Sequence, residues 1–267
     1  MLQPAVAQWL QELRHAVAFY TLIPAHWMGT VVSEREPVPM GQAMRMVPLA
    51  GALVGAVGAA ICALAAALTG STLVASVSAV AATMMITGAL HEDGLADTAD
   101  ALAGTTPEKR LEILHDSHIG NFGAAALCTS ILLRVALIAV IAQVDGIAAT
   151  ALVLIAAHAV SRGFALWLPY CLPPARKSGA AVAFGRPSER VFVEVILISL
   201  VIAFITAASV AHIVATVVAV LVSALVVLGA TWLAERLFGG QTGDLSGATQ
   251  QLAEIAFLFG FTALIGL

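Results

Sequence analysis

The stretch TLVASVSAVAATMMITGALHEDGLADTAD, residues 72–100, joins two kinds of sequence that seldom meet in a soluble protein. Residues 72–90 contain no Asp, Glu, Lys or Arg. An apolar run of about 20 residues is what crosses a bilayer as a helix. Helix is the form required, because lipid offers no partners to unpaired backbone groups. The whole chain repeats this pattern. It is 60% hydrophobic and 10% charged over 267 residues, against roughly a quarter charged in soluble domains, and its mean hydropathy is +0.98. These features predict an all-α, polytopic helical membrane protein: about seven transmembrane helices plus an N-terminal amphipathic or re-entrant helix. A single integral-membrane domain covers residues 1–267. The spans are expected near 46–68, 72–91, 121–142, 147–169, 190–207, 210–234 and 245–266.

The second half of the quoted stretch carries chemistry. Glu92, Asp93, Asp97 and Asp100 crowd into residues 92–100. If the segment is helical, Asp93, Asp97 and Asp100 at i, i+4 and i+7 share one face. Like charges side by side repel, and a cation among them offsets the repulsion. Hard divalent cations such as Mg²⁺ choose carboxylate oxygens and bridge to substrate phosphates. The alternative is a solvated polar loop between spans. Glu92 adds another acidic side chain beside Asp93, either as a ligand or as an exposed group.

Around this motif the chain is plain in places and informative in others. Residues 1–24 place Val6, Trp9, Leu10, Leu13 and Val17 at helical spacing, with Gln11, Glu12 and Arg14 between them, and Pro24 ends the pattern. The early charges leave no clean signal-peptide core. Cys62, Cys128 and Cys171 lack metal or disulfide spacing. The net charge of −4 offers no basic surface for nucleic acid. Gly51-xxx-Gly55 permits close helix contact. Pro107 followed by Glu108 opens a short amphipathic helix. The connections near 69–71, 143–146 and 208–209 lack Lys and Arg. Those at 25–45, 92–120, 170–189 and 235–244 hold Arg35, Arg45, Lys109, Arg110, Arg176, Lys177, Arg186 and Arg236. The positive-inside rule makes the charged set cytoplasmic, so separated polar motifs meet on one membrane face.

Several polar residues stand inside or beside apolar runs. Arg162 has two readings, a phosphate contact or an ion pair with a residue such as Asp93 or Asp97. Arg134, near mid-depth, reads as paired, and His158 as a hydrogen-bonded core residue. The string Gly239–Gly240–Gln241–Thr242–Gly243–Asp244 is a turn that lets backbone N–H groups approach a ligand. Asp244 is either a helix cap or a site residue. Asp244, Gln251 and Glu254 share a helical face, which predicts a ligand-facing stripe. His115 and His118 at i, i+3 are metal-competent but commoner as hydrogen-bonding groups.

Taken together, His91-x-Asp93–Gly94–Leu95–Ala96–Asp97–Thr98–Ala99–Asp100, Arg110–Leu111–Glu112–Ile113-x-x-Asp116–Ser117-x-Ile119–Gly120, Ser161–Arg162 and Gly239–Gly240–Gln241–Thr242–Gly243–Asp244 closely resemble the cobalamin synthase family. These are membrane adenosylcobinamide-GDP ribazoletransferases. Weaker echoes are Phe19-x-Thr21-x-Ile23–Pro24 and Pro48–Leu49-x-Gly51. The chain departs from the family pattern at Leu22 and His118, where arginine is common. The resemblance implies transfer of a GDP-activated corrinoid phosphate to the 3′-hydroxyl of α-ribazole or its 5′-phosphate, releasing GMP. It implies Mg²⁺ as cofactor, held by Asp93, Asp97, Asp100 and Asp244. Asp93, Asp97, Asp116 and Asp244 are the candidates for catalysis. Arg110, Arg162, Arg176, Gln241, Thr242, Gln251 and Glu254 are candidates for binding substrate or phosphate. The expected partners are these small molecules, the bilayer of a cytoplasmic (inner) membrane and other cobalamin-pathway enzymes. A competing reading is a transporter, with Arg134, Arg162 and Glu254 at a midplane site. It lacks an evident inverted repeat, and its acidic groups cluster on one side.

Overall fold

The computed structural model describes residues 4–24, 40–116, 118–210 and 212–265. Most of the predicted loop 25–45, with Glu34 and Arg35, and Ser117 of the second motif lie outside the described residues. Among the described residues the chain is helical, with a lone parallel bridge between Pro174 and Gln241.

Helix α1 (Pro4–Tyr20) is amphipathic, as its pattern predicts: Glu12, Ala16 and Val17 are buried while Val6, Trp9 and Leu10 are exposed. Arg45 clamps it, donating from Nε and Nη2 to the two carboxylate oxygens of Glu12. Helix α2 (Met40–Ala43) and a 3-10 turn (Met44–Met46) run into α3 (Val47–Thr69), and Gly41–Thr69 as a whole is long and apolar enough to span.

Helix α4 (Thr72–Thr87) starts on Ser71, whose hydroxyl accepts from the Val74 N–H at 3.3 Å. It ends on two left-handed residues, Gly88 (φ 61°) and Ala89 (φ 55°). The first is a common helix stop. The break turns α5 (Leu90–Ala101) by 90°. The span expected at 72–91 therefore ends early, and the acidic motif runs across its end as a helix of its own. A left-handed alanine costs about 1–2 kcal/mol, which Ala89→Gly relieves at some cost in unfolded-chain entropy. We expect Ala89→Gly to match or exceed the wild type in thermal midpoint, and β-branched Ala89→Val to fall clearly below it. Equal midpoints for Gly and Val would show that the bend is held elsewhere.

Helix α6 (Pro107–Ile113) begins on Thr106, which accepts from the Lys109 N–H at 3.3 Å, with proline in the first turn as expected. There follow α7 (Asn121–Val144), α8 (Gly146–Ala165), α9 (Trp167–Cys171), α10 (Ala180–Phe184) and α11 (Glu189–Thr206). A 3-10 turn (Ala207–Val210), α12 (Ile213–Phe238) and α13 (Gly243–Thr262) complete the described chain. Helix α8 is the axis: the apolar window of its span is 78% buried, against 28–39% for the other four spans. Helix α3 lies against it through the predicted glycines. A Cβ on Gly55 would stand 2.6 Å from the Leu154 carbonyl oxygen, and one on Gly51 would overlap that of His158. The outer faces are apolar and open, with Leu68 76% and Met85 75% exposed, as lipid contact requires.

Five helices are long and apolar enough to cross a bilayer, and α4 with α5 makes a sixth only as a bent pair. Alone, 16-residue α4 reaches about 24 Å, short of the hydrocarbon core. Helix α13 carries Asp244, Gln250, Gln251 and Glu254 within its length. Among the described residues, five helices are candidate spans, or six with the bent pair, fewer than the seven expected.

The two ends differ in character. At one end Arg110 Nη1 donates to the Leu237 carbonyl at 3.1 Å and Arg176 Nη2 to that of Leu111 at 2.6 Å. There, too, the N–H of Gln241 donates to the Pro173 carbonyl at 2.9 Å. The charged connections 92–120, 170–189 and 235–244 are thereby tied together, as their alternation predicts. At the other end His212 Nε2 meets Asp145 Oδ1 at 3.0 Å, and Gln143 reaches Thr72 at 3.4 Å.

Candidate active site

The charged end encloses a cavity of about 270 Å³ whose wall includes Tyr20, His91, Asp93, Arg162, Asp244 and Gln250. The helix break at Gly88–Ala89 delivers Asp93 to it, and the turn before α13 delivers Asp244. These two elements touch: a Cβ on Gly94 would lie 2.7 Å from the Asp244 carbonyl oxygen. Glycine at 94 is what allows α5 and the start of α13 to approach this closely. Thr242 caps α13, accepting from the Leu245 N–H at 3.2 Å. The cap is therefore Thr242, whose hydroxyl also donates to Asp244 Oδ2 at 3.5 Å, and Asp244 lines the cavity.

The acidic motif is helical, so Asp93, Asp97 and Asp100 do share a face, but their surroundings separate them. Asp93 is exposed and lines the cavity. Asp97 is half-buried, with Asp93, Asp244 and Asp100 as its charged neighbours. Asp100 accepts from the N–H groups of Gly120 and Gly123 at 2.7 and 2.8 Å. It caps α7, where backbone N–H groups lack helical partners. Asp116 stands apart in an exposed turn, accepting from the His118 N–H at 3.1 Å. The His118 ring, with Nδ1 2.7 Å from Oδ1, and then this N–H hold its carboxyl below the usual carboxylate range. His115 and His118 are both exposed.

The candidate cations divide similarly. Arg162 lines the cavity, whereas Arg110 and Arg176 are half-buried and donate to the carbonyls of Leu237 and Leu111. Arg176 is the cation nearest in effect to Asp244. Gln241 is buried in the cavity wall. Gln251 and Glu254 lie deeper and outside that wall.

They belong to a buried polar network behind the cavity. Arg134 Nη1 donates to Glu92 Oε1 at 2.9 Å, and Gln251 Nε2 donates to the same oxygen at 3.3 Å. Glu254 Oε2 accepts from Gln250 Nε2 at 2.8 Å, with Arg134 and Arg162 at 3.6 and 3.8 Å from its carboxylate. Arg162 Nη1 lies 2.7 Å from His158 Nδ1. Glu92 is 4% exposed, so it is neither a surface group nor a neighbour of Asp93 in the cavity. Arg162 pairs with Glu254 and His158, not with Asp93 or Asp97. Arg134 and His158 are paired as predicted.

The residues missed from sequence are the aromatic ones. Tyr20, Phe19 and Phe184 line the cavity, as does His91, the first residue of the acidic motif. The sequence signals for this wall are Phe19 in the Phe19-x-Thr21-x-Ile23–Pro24 echo and His91 in the acidic motif; Phe184 has none. Among the described residues, no group of three His, Cys, Asp or Glu side chains is arranged to hold a metal ion.

Fold and site together define a class: a polytopic helical membrane protein with an acid-edged cavity among the charged connections at one end. Comparison with known proteins makes the class specific. The model of the cobalamin-5-phosphate synthase family matches residues 12–262, and the chain belongs to that family. It is 44% identical over 257 residues to the adenosylcobinamide-GDP ribazoletransferase of Azorhizobium caulinodans, covering 94% of this chain and 95% of the relative. The protein of that name from Xanthobacter autotrophicus is 42% identical over 252 residues, with 94% and 95% covered. That of Allorhizobium ampelinum is 35% identical over 249 residues, with 93% and 95% covered. No solved structure matches the chain.

Proposed function

We propose that this protein is an adenosylcobinamide-GDP ribazoletransferase of cobalamin biosynthesis. The observation that carries the reading, beyond family membership, is the meeting of Asp93 from α5 and Asp244 from α13 at one cavity. In the reaction, the ribazole 3′-oxygen bonds to the phosphorus carried by the corrinoid side chain. The phosphorus–oxygen bond to GMP breaks, and GMP leaves with that electron pair. The hydroxyl proton passes to a base. Such transfers depend on positioning and on charge stabilisation more than on covalent help.

Asp93 and Asp244 are the bases this geometry favours, because both line the cavity while Asp116 does not. Arg162, buried in the same wall, offsets negative charge there. Asp93, Asp97 and Asp244 are not arranged as a set of three around one ion, so Mg²⁺ would be held by two of them, with waters and substrate phosphate oxygens completing its shell; Asp100 is occupied with α7. A donor set of few protein carboxylates suits that ion. When bound, it neutralises charge on the diphosphate. The charged connections would face the cytoplasm of the inner membrane by the positive-inside rule.

The test is GMP release by purified protein in lipid, given the GDP-activated corrinoid, α-ribazole and Mg²⁺. We expect ribazole-dependent GMP, matched by a new corrinoid phosphodiester and lost on adding EDTA. GMP that survives EDTA would overturn the metal assignment. No GMP from folded protein would overturn the transferase reading.

A further inference from the structure

The cavity wall holds more aromatic surface than phosphoryl transfer needs. The Phe19 and Phe184 rings meet edge to face at 4.3 Å. The Tyr20 ring stacks on His91 at 5.5 Å with planes 4° apart. Met44, Val47 and Leu166 add aliphatic surface, while Asp93, Arg162, Gln241, Asp244, Ser246 and Gln250 supply polar groups elsewhere in the wall. His91 is 3% exposed, and neither of its ring nitrogens has a hydrogen-bond partner among the described residues. A buried polar group left unpaired costs about 1–3 kcal/mol. An unpartnered imidazole in a cavity wall is therefore a feature a ligand completes.

We propose that this cavity seats the nucleoside acceptor, with its flat base against the aromatic wall and its ribose towards Asp93 and Asp244. The assignment rests on the transferase reading for the identity of the nucleoside. Size and polarity select among the three moieties of that reaction. A tetrapyrrole is too large for a volume of about 270 Å³, which lies just under the range of pockets that enclose drug-sized ligands. Guanine presents several donors and acceptors along one edge, and the aromatic wall of Phe19, Tyr20 and Phe184 with His91 leaves most of them unpaired. A benzimidazole-type base is apolar around its fused ring and offers a single ring nitrogen as acceptor. One N–H of His91 matches it. His91 is then a binding residue of the acceptor, beside a wall that excludes water from the base.

The experiment measures α-ribazole binding to the purified protein in lipid nanodiscs without corrinoid, and KM for each substrate in the GMP assay. His91→Phe keeps an aromatic ring and removes both ring nitrogens. Phe184→Ala removes wall surface, and Ala181→Trp fills the space. We expect each to raise Kd and KM for α-ribazole by about tenfold or more with KM for the GDP-corrinoid little changed. Benzimidazole riboside should displace α-ribazole and guanosine should not. Thermal melting of each variant separates lost binding from lost folding, and the wild-type competition needs no variant. Displacement by guanosine, or a shift confined to the corrinoid KM, would overturn the assignment while leaving the transferase intact. Absent GMP release with α-ribazole still bound would overturn the transferase and keep the cavity.

Discussion

Glu254→Ala removes a large part of the margin that keeps this protein folded. The expected loss is about 3–5 kcal/mol, the range for breaking a buried ion pair from one side, against a total stability of roughly 5–15 kcal/mol. The reason is what remains behind. Glu254 is 2% exposed, and Arg134 and Arg162 on its two sides are 1% and 3% exposed. Without the carboxylate, Arg162 loses its nearest counter-charge, and His158, whose Nδ1 lies 3.2 Å from Glu254 Oε2, loses that partner too. Gln250 loses the acceptor it holds at 2.8 Å. Since Gln250 and Arg162 both line the cavity, activity falls with stability. Glu254→Gln keeps a hydrogen-bonding group and should cost less. Glu92→Leu combined with Arg134→Met should cost less than the two single changes summed, because it removes a pair together. Thermal unfolding of the purified variants measures each term. A wild-type midpoint for Glu254→Ala would mean that Glu92, already paired with Arg134, suffices as counter-charge for both guanidinium groups.

This network explains what was legible in the sequence and what was not. That Arg134 needed a partner followed from its depth alone. Which partner did not, because Glu92 reads beside Asp93 in the chain but points about 100° away from it on the helix. The signal was present: Glu92, Leu95 and Ala96 form the i, i+3, i+4 stripe that is buried on α5. A carboxylate on the apolar stripe belongs to the interior, and those on the other stripe to the site. The same periodicity placed Asp93, Asp97 and Asp100 on one face correctly. It could not say what lies opposite that face, and α7 claims Asp100. The 90° bend before α5 was foreshadowed only by Gly88. Helices α4 and α13 read as spans because runs of apolar residues count the same whether or not they continue straight or carry a polar edge. The aromatic wall escaped because Tyr20 and Phe184 come from distant, weakly patterned segments.

Asp97→Asn abolishes product formation while the protein still folds and inserts. The expected fall is on the order of 10²–10³-fold, the scale for removing one electrostatic group from a preorganised site. Asp97 makes no hydrogen bond or ion pair to another part of the protein among those found for the described residues, and its charged neighbours are three other carboxylates. Neutralising it removes repulsion in the folded state, so the thermal midpoint should hold or rise in the absence of metal. Asp100→Asn separates from it by mechanism. There the carboxylate accepts from the N–H groups of Gly120 and Gly123, and losing that cap costs about 1 kcal/mol of stability with activity following the fold. Asp116→Asn, in an exposed turn outside the cavity wall, should leave turnover within a few-fold of wild type. GMP release and melting, measured side by side, distinguish the three. Turnover surviving in Asp97→Asn would remove that residue from the metal-binding set, and the carboxylate chemistry would then fall to Asp93 and Asp244, the two that line the cavity itself.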